Sequence, residues 1–360
     1  MTARLGHRRL SRFMAISSVR RHTGADARGK PSTNMQAMSV ESSPAVAIIG
    51  GGPAGLMAAE VLAQAGLRVD IYDAMPSLGR KFLRAGIGGL NITHSEPAER
   101  FASRYAERQL VLQPLLDDFG ATALRDWVHD LGIETFVGSS GRVFPADIKA
   151  APLLRAWLHR LRGLGVRIHV RHRWLGWHAD GSLHLSHRGE TLSLQPQVTL
   201  LALGGGSWPQ LGSDGAWVPW LQARAVTVQA LQSANCGFEL AWSEHLRTRF
   251  AGTPVKSVAI QVQQVDGRVL RQPGEFVISE YGVEGSLIYA VSAALRAQLQ
   301  SQGHARFTLD LLPQHDRARV EAELRHPLVE SPRGAEQPIE QLRCRPSLGG
   351  MPERFDHRLF

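Results

Sequence analysis

Gly50, Gly52 and Gly55 follow directly on the apolar run Ala45–Ile49 and open a helix-forming stretch that continues through Ala59. Glycines at that spacing, between a buried strand and a helix, can hold a pyrophosphate. Gly50 permits the tight turn, Gly52 leaves room for phosphates to approach the backbone, and Gly55 with Ala59 lets the helix pack close to the strand. Pro53 suits the first helical position: its fixed φ fits, and its missing N–H would have had no acceptor inside the helix. The N–H groups from Ala54 onward are left to point at an anion. Leu67, Val69 and Ile71 then alternate along a second strand that ends at Asp73, 18 residues beyond Gly55. That is where a ribose-binding carboxylate belongs. The pattern indicates a dinucleotide without choosing between NAD and FAD, which share the adenosine-diphosphate grip.

The elements around this cradle follow from periodicity. A glycine-rich loop is expected from Gly79 to His94, carrying Arg80 and Lys81 where they can neutralise a pyrophosphate, and Gly86, Gly88, Gly89 and Asn91 where a ligand can approach the backbone. Two helical segments are expected across residues 98–131. A further helix from Ala150 to Leu161 places Leu153, Leu154, Trp157, Leu158 and Leu161 on a core face. Val166–Val170 reads as a strand, and Trp174–Trp177 and Leu183–Leu185 as short antiparallel strands around the Asp180-Gly181 turn. A second buried apolar strand, Val198–Leu203, opens into Gly204, Gly205 and Gly206 and continues to Gly215. This suggests another chain crossing beside the same ligand; a second nucleotide site is the weaker reading, because Pro209 stands where an amphipathic helix would be needed. From residue 232 to 330 the pattern changes to β hairpins followed by a helix from Ser286 to Gln300, the texture of a substrate or cap domain. Glu280 and Tyr281 are its candidates for substrate contact, against the plainer reading of cap and turn formers.

Composition narrows the classes. The 360 residues suffice for two domains, and 43% are apolar. No apolar run reaches the roughly 18 residues of a membrane span, so no membrane partner is expected. The net charge is +9, but residues 1–30 hold eight Arg or Lys and one acid, which leaves only +2 for the remainder. A nucleic-acid partner is therefore not expected of the body of the protein. The Arg-rich segment resembles a mitochondrial transit peptide in composition. The scarcity of lysine, four among 41 basic residues, instead suggests GC-rich coding and a true start at Met38. Residues 1–43 are read as a disordered or spurious extension and the location as cytoplasmic, with mitochondrial as the alternative. Cys236 and Cys344 lie far apart, so neither a disulfide scaffold, a zinc ribbon nor a dithiol redox centre is encoded. His169, His172, His178, His184 and His187 have no ligand spacing and read as solvated strand faces, with no metal expected.

Taken in order, several stretches resemble the BaiN/YhiN-like bacterial flavoproteins of the two-dinucleotide-binding FAD superfamily, nearest an uncharacterised flavoprotein subgroup. They are Gly50–Gly55 with Asp73, Gly79-Arg-Lys81, Gly86–Thr93, Gly141-Arg-Val-Phe-Pro145, Leu203–Gly215 and Gly274–Gly282. The resemblance implies an α/β fold, a Rossmann-like FAD domain over residues 44–231 with an inserted β-rich domain over 232–330. It implies FAD held by Gly50, Gly52, Pro53, Ala54, Gly55, Asp73, Arg80 and Lys81. The adenine would lie near Trp174, and the loop with Gly88 and Asn91 would line the flavin, beside Gly204 and Gly205. NAD(P)H is the implied electron partner, and the small-molecule substrate is not specified. Two departures stand out: Gly89-Leu90 precedes Asn91 where the family has Arg-Cys, and no Gly-Glu/Gly-Gly return segment follows Ser331. The residues from 331 to 360 are accordingly read as an irregular tail, with a frame change near Arg333–Glu336 or a truncation as the expected cause. Resequencing the locus tests that expectation. Three other readings stay open at this point: a nicotinamide-only dehydrogenase, a catalytically inactive flavoprotein remnant, and nucleic-acid binding through residues 1–30.

Overall fold

The computed structural model describes residues 44–316, 318–321 and 343–344. The expected N-terminal extension and most of the expected tail lie outside these residues.

The first apolar run forms strand β1 (Val46–Ile49), buried along its whole length, and leads into helix α1 (Pro53–Gln64). Strand β2 (Val69–Asp73) returns parallel to β1, with Ile48 beside Ile71 and Ile49 beside Tyr72. A short helix α2 (Arg80–Ala85) comes next, in the segment whose glycines suggest a loop. Gly79 adopts φ +65° at its start, and the Arg-Lys-Phe-Leu-Arg-Ala run consists largely of good helix formers. Beyond it come β3 (Thr93–His94), α3 (Ala98–Ser103), α4 (Gln109–Asp118), α5 (Ala121–Asp130), β4 (Thr135–Val137) and β5 (Arg142–Pro145). The three strands form a small antiparallel sheet in the order β3-β5-β4. Helix α6 (Ala150–Gly163) buries Leu153, Leu154, Trp157 and Leu161, the face its periodicity predicts.

Strand β6 (Arg167–Val170) joins the parallel sheet beside β2. A meander of β7 (His172–Trp177), β8 (Leu183–His187) and β9 (Glu190–Leu194) precedes β10 (Val198–Leu201), which pairs parallel with β1. The four parallel strands run in the order β10-β1-β2-β6. The sequence reads β10 as fully buried; as an edge strand of this sheet it is instead half-buried, and Val198 is exposed.

Helices α1 and α6 pack on one face of the parallel sheet around Ile48, Leu56, Ile71, Leu154, Trp157 and Leu161. Each such side chain contributes about 1.5–3 kcal/mol by leaving water. Two carboxylates are buried around this sheet, Glu60 on the helix side and Asp70 on the opposite face. Glu60 accepts hydrogen bonds from Trp127 Nε1 at 3.1 Å and Arg160 at 3.0 Å. Asp70, with 0% exposure, is gripped by Arg167 at 2.8 and 2.9 Å and by His169 Nε2 at 2.7 Å. Burial raises the Asp70 carboxyl, but the hydrogen bonds from His169 and Arg167 outweigh it and hold the group below its ordinary value.

After the short helix α7 (Val218–Gln222), the chain builds a six-stranded antiparallel sheet. In chain order it comprises β11 (Phe238–Glu239), helix α8 (Glu244–Phe250), β12 (Pro254–Gln263), β13 (Val269–Ser279), β14 (Gly282–Glu284), helix α9 (Ser286–Gln302), β15 (Thr308–Asp310) and β16 (Arg343–Cys344). Its core is apolar, with Ile260, Val262, Phe276, Ile288, Val291 and Leu295 facing one another between sheet and helix. The fold is thus α/β, a Rossmann-type parallel sheet accompanied by separate antiparallel sheets. Within the residues read as an irregular tail, Arg343 and Cys344 form β16 and pair with Glu239 and Phe238 of β11. A two-residue strand carries no periodicity to detect.

The clustered histidines also depart from expectation. They are half-buried: His172–His187 and Tyr72–His169 stack with ring centroids 4.1 and 4.5 Å apart, and His178–His184 pack tilted at 4.4 Å. The β7–β8 register sets His172 opposite His187. Among the described residues no group of three or more His, Cys, Asp or Glu could hold a metal ion, and no helix is long and apolar enough to cross a membrane.

Candidate functional site: a cavity at the carboxyl ends of the parallel strands

A cavity of about 380 Å³ opens where β1, β2 and β10 end. The turn after β1 is fixed by backbone. Gly50 takes φ +109° and donates its N–H to the Tyr72 carbonyl at 2.8 Å, and a Cβ on it would collide with the Ala202 carbonyl. Gly55 is equally constrained, because a Cβ there would run into the Gly50 carbonyl oxygen. Gly52 differs. Nothing stands within 4 Å of the position a Cβ would take, so its side is open space. It is the N-cap of α1, in extended conformation, with no side chain capping the helix and no acid in the first turn. The first-turn N–H groups and the positive end of the helix dipole are left for an anion.

Asp73 is fixed from both sides. Its Oδ2 accepts the Gly51 N–H and its Oδ1 the Met75 N–H, each at 2.7 Å. Each oxygen retains a further lone pair for a ligand hydroxyl. Lys81 on α2 donates to Ser207 Oγ at 2.6 Å across the mouth, and Arg84 lies 5.5 Å from the centre of the Trp208 ring. Arg80 contacts Ser77 at 3.4 Å while its buried Nε has no partner. On the far side, Arg173 pairs with Asp214 at 3.1 Å. His172 also lines the cavity; burial pushes its imidazole below the ordinary value, aided by the neighbouring His187 and His169.

Of the residues singled out by sequence, Gly50, Gly52, Pro53, Asp73, Arg80, Lys81, Trp174 and Gly204 all line this cavity. Gly55 supports it from behind. Ala54 and Gly205 are beside it in the chain without lining it, and Gly88 and Asn91 are exposed and lie apart from it. The glycines of that segment meet the protein's own side chains: a Cβ on Gly86 would be 2.5 Å from Ala150 Cβ, and one on Gly89 would be 2.8 Å from Ile148. Glu280 and Tyr281 sit exposed at the β13–β14 turn, away from the cavity.

Sequence reasoning missed Ser213, Trp217 and Trp220, which line the wall beyond Trp174. Trp174 is only 4% exposed and meets Trp177 and Trp220 edge-on, with ring centroids 4.7 and 5.1 Å away. Its indole N–H, the Trp217 indole N–H and the Ser213 hydroxyl are buried without a hydrogen-bond partner. A run of tryptophans after glycines was the available signal, but it reads equally well as core.

The model of the HI0933-like protein Rossmann domain matches residues 44–352. The chain belongs to this family. Among curated proteins, it is 36% identical over 90 residues to the carotenoid phi-ring synthase of Streptomyces griseus, covering 23% of this chain and 17% of that protein. It is 46% identical over 68 residues to the thiamine thiazole synthase of Methanosarcina barkeri, covering 18% of this chain and 26% of that protein. The chain thus matches no more than about a quarter of the length of these two relatives. A solved flavocytochrome c3 fumarate reductase in its open conformation aligns with 17% identity and a TM-score of 0.43, covering 73% of this chain and 52% of that one. For this HI0933-like chain, the family places a Rossmann domain over the same residues that build the cavity.

Proposed function

We propose that this HI0933-like protein is an FAD-dependent oxidoreductase of the BaiN/YhiN type, located in the bacterial cytoplasm and drawing electrons from NAD(P)H. The observation that carries the reading is the uncapped α1 N-terminus facing open space at Gly52, with the fixed carboxylate of Asp73 across the same cavity. These residues fit an adenosine-diphosphate group. The pyrophosphate would rest on the backbone N–H groups of Gly52, Ala54 and Gly55, countered by Lys81 and Arg80, and Asp73 would take the ribose hydroxyls. The adenine would stand by Trp174.

When bound, the flavin would supply hydride acceptance and donation. The protein's part is to hold the nucleotide, keep its charge neutralised and exclude water through the tryptophan-rich wall. The antiparallel part, including Glu284, whose carboxyl is raised by burial, would form the substrate side, with residues 44–231 and 232–330 as the two domains. The substrate is a small molecule, and neither nucleic acid nor membrane is a partner.

The test is the visible absorption spectrum of the purified full-length chain, before and after anaerobic addition of NAD(P)H. Flavin bands that bleach establish both the cofactor and the donor. Flavin bands that bleach with dithionite alone would keep FAD and remove NAD(P)H. A colourless protein that takes up no added FAD would overturn the reading.

A further inference from the structure

Three imidazoles connect the buried Asp70 carboxylate to the wall of the cavity. His169 holds Asp70 at 2.7 Å and lies flat on Tyr72. His172 meets His169 and Tyr72 edge-on, with ring centroids 5.6 and 5.7 Å away, and stacks on His187 at 4.1 Å. Of the three, only His172 lines the cavity. Two of the rings are tethered by one nitrogen each. His172 Nδ1 donates to the Val170 carbonyl at 2.8 Å, and His187 Nδ1 to the Arg171 carbonyl at 3.2 Å. A carbonyl can only accept, so both Nδ1 atoms carry hydrogen and Nε2 is the nitrogen that gains or loses the proton.

A proton on His172 is disfavoured while the cavity is empty. Burial of the ring opposes the charge most, and His187 and His169 add to the penalty; the bond to Val170 works the other way without prevailing. The carboxylates nearby are already engaged. Asp70 is shared by His169 and Arg167, Asp73 accepts two backbone N–H groups, and Asp214 pairs with Arg173. Glu190, which is exposed, stands opposite His187 across the β8–β9 turn. Arg80 and Lys81 line the same cavity and repel a further cation. A phosphate-bearing ligand reverses this balance. It neutralises those two cations and brings negative charge into a space of about 380 Å³, close enough to act on the wall with little screening.

We propose that His172 is a proton-linked binding residue: uncharged in the empty cavity at neutral pH, it takes up a proton from solvent at Nε2 as a diphosphate ligand enters. This rests on the nucleotide reading of the cavity and adds how that site responds to pH. The proton counters the ligand's charge. Affinity therefore rises as pH falls through the value His172 has in the complex, and levels off below the value it has in the empty protein. Because burial and the two neighbouring imidazoles hold the empty-state value below the ordinary one, the window extends to the acid side of neutrality.

The test is calorimetry of ADP-ribose binding to the full chain, repeated at each pH in two buffers of different ionisation enthalpy, which counts the protons taken up. ADP-ribose is the probe because its diphosphate keeps its charge across the imidazole range. The expected peak uptake is about 0.3–0.5 proton per ligand, with affinity about three- to tenfold higher near pH 5.5 than near pH 8, as a shift of about 0.5–1 pH unit in one imidazole requires. His172→Phe keeps an aromatic ring in the stack, and His172→Gln keeps a donor for Val170. Neither carries the proton, so both should bind without uptake and with a flat pH profile. His187→Phe, away from the cavity, should keep the uptake and move its peak to higher pH. Wild-type binding without uptake, uptake that survives in both His172 variants, or a His187→Phe peak that fails to move upward would overturn the proposal and leave the nucleotide reading standing. Failure of the wild-type chain to bind ADP-ribose would remove that reading, and this proposal with it.

Discussion

Two glycine-rich turns lie side by side at the ends of adjacent parallel strands, and they use glycine for different reasons. After β1, Gly50 and Gly55 are glycine because the protein's own backbone fills the space a side chain would need. After β10, the contacts are loose: the nearest atom to a Cβ on Gly204 is Ser213 Oγ at 3.7 Å, and on Gly205 the same atom at 4.0 Å. The first turn is part of the fold's packing, whereas the second is held by long-range side-chain contacts, Lys81 to Ser207 and Arg84 to Trp208. Gly52 is the exception within the first turn, since its space is left for something other than protein. A glycine pattern in a sequence therefore mixes positions that protect the fold with positions that protect the site.

Variants can break or sharpen this contrast. The largest effect is expected outside both turns and sets the scale for damage to the sheet itself. Asp70→Asn should cost about 3–5 kcal/mol in urea unfolding, because Arg167 and His169 lose their buried anion. Asp70 is held below its ordinary value of 3.8 in the folded state. Its stabilising contribution is therefore present above that pH and lost as pH falls through the folded value. The acid limb of the wild-type stability profile should flatten in the variant. Next comes Gly55→Ala, expected to cost about 2–3 kcal/mol through overpacking against the Gly50 carbonyl. A stable Gly55→Ala protein with normal FAD uptake would break the contrast.

Gly52→Val should lower the unfolding free energy by no more than about 1 kcal/mol, the cost of an apolar N-cap, since no protein atom is displaced and φ is −80°. It should weaken ADP binding tenfold or more, a factor worth about 1.4 kcal/mol. Equal losses of stability and binding would show that Gly52 belongs with Gly55 after all. In the second turn, Gly204→Ala should cost about 1 kcal/mol, because φ there is +70°. Gly205→Ala, with room for the methyl and no positive φ, should fall within about 0.5 kcal/mol, as an ordinary permissive site does.

What the sequence disclosed follows the same division between local and distant. β1, α1, β2 and α6 were legible because their signals are periodic and complete within about 15 residues, and the cradle residues Gly50, Gly52 and Asp73 came with them. The helix α2 was hidden because Gly79 and Gly86 flank a run of only six residues. Stacking of His172 on His187 depends on a strand register set 15 positions apart, and the half-exposure of β10 depends on its place at a sheet edge. Neither leaves a mark in a short window. The unpartnered donors of Trp174, Trp217 and Ser213 were invisible for a related reason: hydrogen-bond satisfaction is a property of the assembled neighbourhood rather than of residue type.

The two 2.7 Å bonds from Gly51 and Met75 to Asp73 have a thermodynamic consequence for recognition. A carboxylate free to rotate would surrender rotamer entropy when a ribose arrived, an ordering cost of about 0.5–1.5 kcal/mol for a mobile side chain. Asp73 gives up that freedom on folding, when the two amides lock both oxygens. The acceptor is thus ready before any ligand enters, and ligand affinity becomes sensitive to anything that loosens the backbone at residues 51 and 75, even without direct contact.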